Sequence, residues 1–465
     1  MSSLSQLQET SLQQLAADIV SRAIKAGASD AEVTIREGDE FSTTVRMGEV
    51  ETLKESGSRG IGLRVLVASN NGYRVASTSS SDFTAEGIEH LVNGAIALAR
   101  VTSEDPFAGL ADAGEFGQIG GEDGGDLELY HEDVYSLPTA ERIEYARRAE
   151  AAALAADTRI TNSDGGNFDA ASGRKIFANS RGFTSEYRAS SCSISASPIA
   201  LGKSGEMQRD YWYSHARSLK KLATPESVGA EAARRTLRRL DARRVKTQQA
   251  VLIFAPEIAR SLIGAIFDAA SGDSIYRGSS FFTGKLGEQV AAESVTVVDD
   301  GTIIGGFGTS PFDGEGLPSR RTVIVENGIL TNYLLNTYTA RKLGMKSTGN
   351  AARGLAGNPG TGAGNLFLIP GTQTPEEILR DVPAGLYVTG LMGQGVNMVT
   401  GDYSRGATGQ WIENGELTYP VQEITIAGNL NEMFRNITAI ANDLEFRGSV
   451  ASPTLRIDGM TIAGE

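Results

Sequence analysis

AEVTIREGDEFSTTVRMGEVETLKESGSRGIGLRVLVASNNGYRVASTSS, residues 31–80, alternates apolar and polar side chains in short runs. Alternation puts every second residue on one face of a sheet, and the runs are punctuated by turn-forming residues: Gly38-Asp39, Gly48, Gly57-Ser58 and Asn70-Asn71-Gly72. The pattern predicts five strands, 31–37, 40–47, 49–56, 60–69 and 73–80, joined as antiparallel hairpins. Helices flank them. Over 4–26, Leu12, Leu15, Ile19 and Ala23 recur at three- and four-residue spacing and Gly27 follows as a stop; a second helix is expected over about 83–100. Hairpins between helices describe an α+β unit, not the parallel sheet of a nucleotide-binding fold.

The predicted organisation is an N-terminal α+β domain over 1–110, a Gly/Asp-rich linker over 111–135, a central helix-plus-hairpin domain over 136–223 and a β-rich C-terminal domain over 224–465. The linker lies within SEDPFAGLADAGEFGQIGGEDGGD, which has no periodicity. The central domain reads as a helix over 138–156 and strands at 159–165, 173–180 and 182–201, with Asn179–Gly182 as a turn. A Lys/Arg-rich helix over 224–244 leads to an apolar strand (249–255), a helix (256–270) and many short strands. Val325-Glu-Asn-Gly-Ile-Leu-Thr331 and Ile412-Glu-Asn-Gly-Glu-Leu-Thr418 each place Asn-Gly between alternating residues, a strong hairpin signal.

Composition narrows the function. The 465 residues carry 43 Lys+Arg against 57 Asp+Glu, a net charge of −14, which disfavours a general nucleic-acid binder. No run is long and apolar enough for a membrane span, and the N-terminus lacks the basic and apolar regions of a secretory signal. A single cysteine, Cys192, excludes a disulfide framework and a thiolate-rich metal site. These features place the expected compartment in the cytoplasm. Glycine totals 55, and 22 of these fall within 301–410, so some part of that region needs tight turns or close backbone approach.

Few side chains look catalytic. His131-Glu132 lacks a second His one turn on, and Pro138 would interrupt a continuing helix, so a helical zinc site is not formed there. His90 reads as a surface helix residue, His215 as strand packing and Cys192 as inert filler. The basic run 234–246 sets Leu237 and Leu240 toward a core and spreads its arginines over an outer face. The most distinctive segments are 354–365 and 390–409. They lack the Lys-Ser/Thr ending of a phosphate loop, and together they suggest a groove built from backbone groups, in which Gly357, Gly360, Gly362, Gly393, Gln394, Gly395, Asn397, Asp402, Tyr403 and Arg405 would hold an extended peptide.

Gly390-Leu-Met-Gly-Gln-Gly-Val-Asn397, Thr400-Gly-Asp-Tyr-Ser-Arg-Gly-Ala407, Glu413-Asn-Gly-Glu416 and Tyr419-Pro-Val-Gln-Glu-Ile-Thr-Ile-Ala-Gly-Asn-Leu430 resemble the C-terminal signature of the TldD/PmbA family, in particular its PmbA (TldE) branch. The resemblance extends to Gly57-Ser-Arg-Gly-Ile-Gly-Leu-Arg-Val65 and covers nearly the whole chain. It implies a cytoplasmic heterodimeric zinc metallopeptidase acting on small unfolded peptides, including peptide-antibiotic leaders and antitoxins. In that family the TldD-type subunit carries a His-Glu-x-x-x-His helix and the TldE-type subunit completes the chamber. Carried onto this chain, the three motif positions fall on Ile263, Gly264 and Asp268, and the segment near Leu391-Met392 has no Cys or His. One carboxylate and two non-coordinating residues neither hold zinc nor supply the base for its water. The resemblance therefore implies no cofactor and no catalytic residue in this chain, with zinc in a TldD-type partner; a homodimer of the lone chain is the other assembly to consider. Two alternatives compete: a self-sufficient carboxylate metal site using Asp268, Asp273 or Asp402, and a regulatory protein acting on DNA gyrase through the basic run.

Overall fold

The computed structural model describes residues 11–119 and 127–464. The first helix, Leu12–Lys25, is capped by Ser11 and followed by Gly27 at φ 110°; the part expected over 4–10 lies outside the described residues. The five strands of the opening stretch merge into three: Asp30–Arg46, Glu49–Ser69 and Gly72–Ser80. Only Met47-Gly48 and Asn70-Asn71 turn. Gly38 and Gly57 instead lie inside continuous strands, where Gly38 serves close approach: a Cβ there would sit 2.7 Å from the Ser172 carbonyl oxygen of the neighbouring strand.

The two predicted N-terminal sheets are one. Asp30–Arg46 pairs on its far side with Ile160–Asn179, which merges the strands expected at 159–165 and 173–180, and Ile160–Asn179 pairs with Thr184–Leu201 through the Asn179–Gly182 turn. An eight-stranded, antiparallel sheet results. Val33, Ile35 and Ile176 bury against the helices Leu12–Lys25 and Ala85–Val101, while Phe41, Val45, Phe168 and Ala170 bury against the helix Thr139–Ala155. These positions share parity along their strands, so the helices cover one face. The opposite face, bearing Glu32, Gly62 and Arg64, receives the C-terminal domain.

Two domain expectations need correction. The helix expected over 224–244 is Pro225–Leu237, and Val228 and Ala232 pack with Ala149 and Ala153 of the central helix and Ile194 of its sheet. This helix completes the central unit, so the boundary moves from 223/224 to about 240. The predicted linker is a strap across the molecule. Leu110 and Ala111 are buried, the Leu110 carbonyl accepts from Arg341 Nη2 at 2.5 Å, and the Ile119 amide donates to Pro311 O at 2.9 Å. Residues 120–126 of it lie outside the described residues.

In the C-terminal domain, Gln248–Phe254, Ala384–Met392, Asp402–Glu413, Glu416–Asn429 and Leu455–Ala463 pair in a closed ring. A second sheet runs, in spatial order, Ile329–Leu330, Arg321–Glu326, Val297–Asp300, Asn365–Leu368, Val450–Ala451. The helix Pro256–Ala270 is wedged between them, with Leu262, Ile263 and Ile266 in a core that also holds Val297, Ile324, Leu386, Ile426 and Leu455. Both Asn-Gly hairpins form as expected: Asn327-Gly328 and Asn414-Gly415 have φ of 48° and 79°, and 51° and 79°. No helix among the described residues is long and apolar enough to cross a membrane.

Candidate functional site

The helix Pro256–Ala270 places the three motif positions apart. Ile263 is 1% exposed and buried in the core. Gly264 faces open space, with nothing within 4 Å of where its Cβ would be. Asp268 is solvent-accessible, yet the surrounding chain desolvates its carboxyl enough to raise its pKa. At 100° per residue, Ile263 and Asp268 point about 140° apart. A hydrocarbon, a glycine and a lone carboxylate do not make up the donor set of a zinc site. The other acids of the carboxylate alternative are engaged separately. Asp273 accepts the Thr361 amide at 3.0 Å, and Asp402 accepts from the Thr400 hydroxyl at 2.6 Å and from Asn429 Nδ2 at 3.1 Å. These bonds hold the Asp402 carboxyl below the usual range.

The two glycine-rich stretches do not form one groove. In the first, Gly360 pairs in a two-residue strand with Ala352, Gly362 lies where a Cβ would be 2.6 Å from that of Ala352, and Gly357 is exposed at φ 97°. Gly362 lines a small cavity of about 70 Å³. Leu355, within this stretch, packs on the signature segment near residue 60: a Cβ on Gly62 would fall 1.9 Å from the Leu355 carbonyl oxygen. The first stretch thus joins two domains.

The second stretch sits elsewhere. Asp402, Tyr403 and Arg405 pair on one side with the strand Glu416–Asn429 and meet the loop 395–397 on the other through a single bridge, Val396 to Tyr403, so the free edge imagined for a peptide is occupied by the protein's own chain. Tyr403 is 3% exposed, and burial pushes its phenol up to about 12. Gly393, Gln394, Gly395 and Asn397 form an exposed loop that largely satisfies itself: Gly395 O accepts from the Ser404 amide at 2.7 Å, and the Asn397 amide donates to Asp402 O at 2.8 Å. Gly395 is structural, because its Cβ would lie 1.7 Å from Ser404 O.

A cleft lies where the central unit meets the C-terminal domain, and Gly390–Met392 of the signature form part of its wall. Four of its arginines come from the basic run: Arg235, Arg238 and Arg239 turn inward, against the expectation of an outer face, whereas Arg234 stays exposed as expected, as do Arg243 and Arg244 farther along the run. Arg235 is buried, bonded to Glu257 Oε1 at 2.6 Å, 3.7 Å from Asp210, and stacked over Trp212 at 4.6 Å. Arg234 forks onto Glu231 with two bonds of 2.7 Å. Arg447 stacks over Trp212 from the C-terminal domain at 4.3 Å and pairs with Glu445. Outside the cleft, Arg243 lies 3.5 Å from the Tyr419 ring centroid and Arg244 pairs with Glu423. Arg234, Arg235, Arg243 and Arg244 of the run are thus each paired or stacked within the protein. Sequence reading singled out the basic run but missed Arg260, Glu257 and Arg447, which share the cleft with Tyr211-Trp212-Tyr213. The aromatic triplet beside clustered arginines was the available signal.

The remaining histidines behave as read. His90 is exposed, and His215 stacks on Phe307 at 4.0 Å with its pKa lowered by burial. Cys192 is buried and its thiol is pushed up to about 12 by desolvation.

A fused helix–sheet layer docked on a ring of strands, with an apolar helix wedged between that ring and a second sheet, is the architecture of a metallopeptidase family, and this chain belongs to it. Three domains described as PmbA/TldA metallopeptidase domain 1, central domain and C-terminal domain match residues 31–99, 132–240 and 247–464. The chain is 42% identical to the metalloprotease PmbA of Escherichia coli O157:H7, over 95% of this chain and 94% of that one. It is 38% identical to the PmbA homologue of Haemophilus influenzae, over 98% and 97%. A crystal structure from Bacteroides thetaiotaomicron, described as a modulator of DNA gyrase, superposes with a TM-score of 0.89 at 27% identity, covering 97% of this chain and 99% of that one. TldE from Thermococcus kodakarensis shares the fold, with a TM-score of 0.84 at 19% identity over 96% and 99%.

Proposed function

We propose that this chain is the PmbA/TldE-type subunit of a cytoplasmic, two-subunit metallopeptidase for small unfolded peptides such as antibiotic leaders and antitoxins. The observation that carries this reading is the helix Pro256–Ala270, which turns Ile263 into the core and leaves Gly264 bare where a zinc helix needs donors and a base. Zinc and hydrolysis then belong to a TldD-type partner. This chain contributes chamber wall and peptide-contacting surface, through the exposed loop 393–400 and the arginine- and tyrosine-lined cleft beside it. Co-expression with a TldD-type subunit, co-purification, and peptide cleavage by each chain alone and mixed test the reading. Cleavage only by the mixture is expected, and cleavage by this chain alone refutes it.

A further inference from the structure

The cleft between the central unit and the C-terminal domain comprises two adjoining cavities of about 260 and 220 Å³. Each of its acids faces a cation or a hydrogen-bond donor, although Asp210 Oδ2 is itself buried without a hydrogen bond. Glu231, Glu257 and Glu445 each hold an arginine, Asp210 lies between Arg235 and Arg239, and Asp443 accepts from the amide and hydroxyl of Thr454 at 2.8 and 2.7 Å. Six arginines against five carboxylates leave one cation in excess, in a chain whose net charge is −14.

The excess falls on Arg238 and Arg260. Arg238 ends the helix Pro225–Leu237, and its Nε and Nη2 are buried without a hydrogen-bond partner. Desolvation, with Arg235 and Arg234 nearby, lowers its pKa. Arg260 projects from the facing helix of the other domain into the same cavity, without an acidic partner of its own among the described residues. A guanidinium with two of its nitrogens buried and unbonded is a costly arrangement, and an anion in the adjoining space relieves it. Beside the two arginines stand Tyr213, Tyr387, Val450 and Ala451, which suit an uncharged side chain.

We propose that this cleft binds the terminal carboxylate of a peptide, Arg238 and Arg260 gripping the carboxylate while the tyrosines receive the last side chain. An arginine fork matches the two oxygens of a carboxylate, and a peptide end supplies carboxylate and side chain at adjacent atoms. This deepens the reading of the chain as a peptide-binding subunit and rests on it. The site would anchor a substrate by its C-terminus, whatever the sequence before its last residue.

The test needs neither partner nor hydrolysis. Of the two tryptophans, Trp212 lines the cleft and Trp411 is 6% exposed in the strand ring, so emission reports on the cleft. Acetyl-Ala-Ala-Ala-Phe with a free carboxylate is titrated against its carboxamide, an amidated peptide with an internal Glu, and inorganic phosphate. The free acid should bind about tenfold or more tightly than the amide, and Arg260→Gln and Arg238→Gln should each shrink that gap to about threefold or less. Should Arg238→Gln misfold by circular dichroism, Arg260→Gln and the amide still decide. Equal binding of acid and amide, or no binding of the acid, overturns the proposal. Phosphate matching the free acid, or the internal Glu peptide doing so, overturns the peptide terminus as the ligand. Loss of acid discrimination leaves assembly with a catalytic subunit intact, and failed assembly leaves the peptide affinity of the lone chain unchanged, so the two readings fail separately.

Discussion

Adding one methyl group at Gly62 tests whether the family's first glycine motif exists to seat the C-terminal domain. A Cβ there would lie 1.9 Å from Leu355 O, 2.6 Å from its carbonyl carbon and 2.8 Å from its Cα, all backbone atoms that no rotamer change can move. Restoring ordinary contact requires Leu355 to retreat by about 1 Å or more, and overpacking of this kind costs about 1–3 kcal/mol. The retreat also pulls on Arg353, two residues earlier. Its Nη1 bonds Glu32 Oε2 at 2.8 Å with both side chains at most 1% exposed, and its carbonyl accepts from Arg36 at 2.7 Å. Breaking a buried pair by displacing one partner costs about 3–5 kcal/mol. Gly62→Ala should therefore lose about 2–5 kcal/mol in urea denaturation. Limited proteolysis should cut first between the sheet and the C-terminal domain. A Gly62→Ala protein within about 0.5 kcal/mol of the parent refutes the seating argument, since so small a change is ordinary for a surface site.

The same substitution at Gly264 should have the opposite sign: with nothing within 4 Å of its Cβ and a helical backbone, Gly264→Ala should stabilise the isolated chain by about 0.5–1 kcal/mol in the same assay. Glu315 is pushed up to about 7, first by burial and then by Asp313 and Glu32. The native state holds its proton where the unfolded chain releases it, so this group's contribution is intact at low pH and lost as pH rises from about 4.5 to 7. Glu315→Gln should gain on the parent by on the order of 2–3 kcal/mol across that window and hold the gain above it; a gap independent of pH contradicts this. Cys192, buried with a thiol pushed up to about 12, should resist alkylation in the native protein at pH 8 and react once unfolded, as a mass shift reports.

Local signals were legible in the sequence and long-range ones were not. Both Asn-Gly hairpins and most helices fell where periodicity put them, because turn chemistry and amphipathic spacing act within a few residues. Gly38 and Gly57 misled for a physical reason: glycine serves a turn and a close strand contact equally well, and only the partner strand decides which. That the N-terminal and central sheets are continuous depends on pairing between residues 32–45 and 166–179, which no local pattern encodes. The helix Pro225–Leu237 was assigned to the following domain because its small buried residues, Ala232 and Gly229, meet the central helix through space; a Cβ on Gly229 would stand 2.2 Å from Ala149 O. At the site, the absence of donors at Ile263 and Gly264 was readable directly. The groove was not. The glycines of 354–365 and 390–409 look alike in sequence, yet one set seats a domain and the other borders a closed ring of strands. The inward-facing Arg235 and Arg239 stayed hidden because the acids and the ring they meet, Asp210, Glu257 and Trp212, come from other elements that only the fold brings beside them.

The central claim is that hydrolysis does not originate in this chain. Metal content by mass spectrometry, measured on the purified chain alone together with cleavage of an unstructured peptide before and after a chelator, tests it most directly. The account predicts substoichiometric zinc and no cleavage under either condition. One zinc per chain with chelator-sensitive cleavage contradicts it.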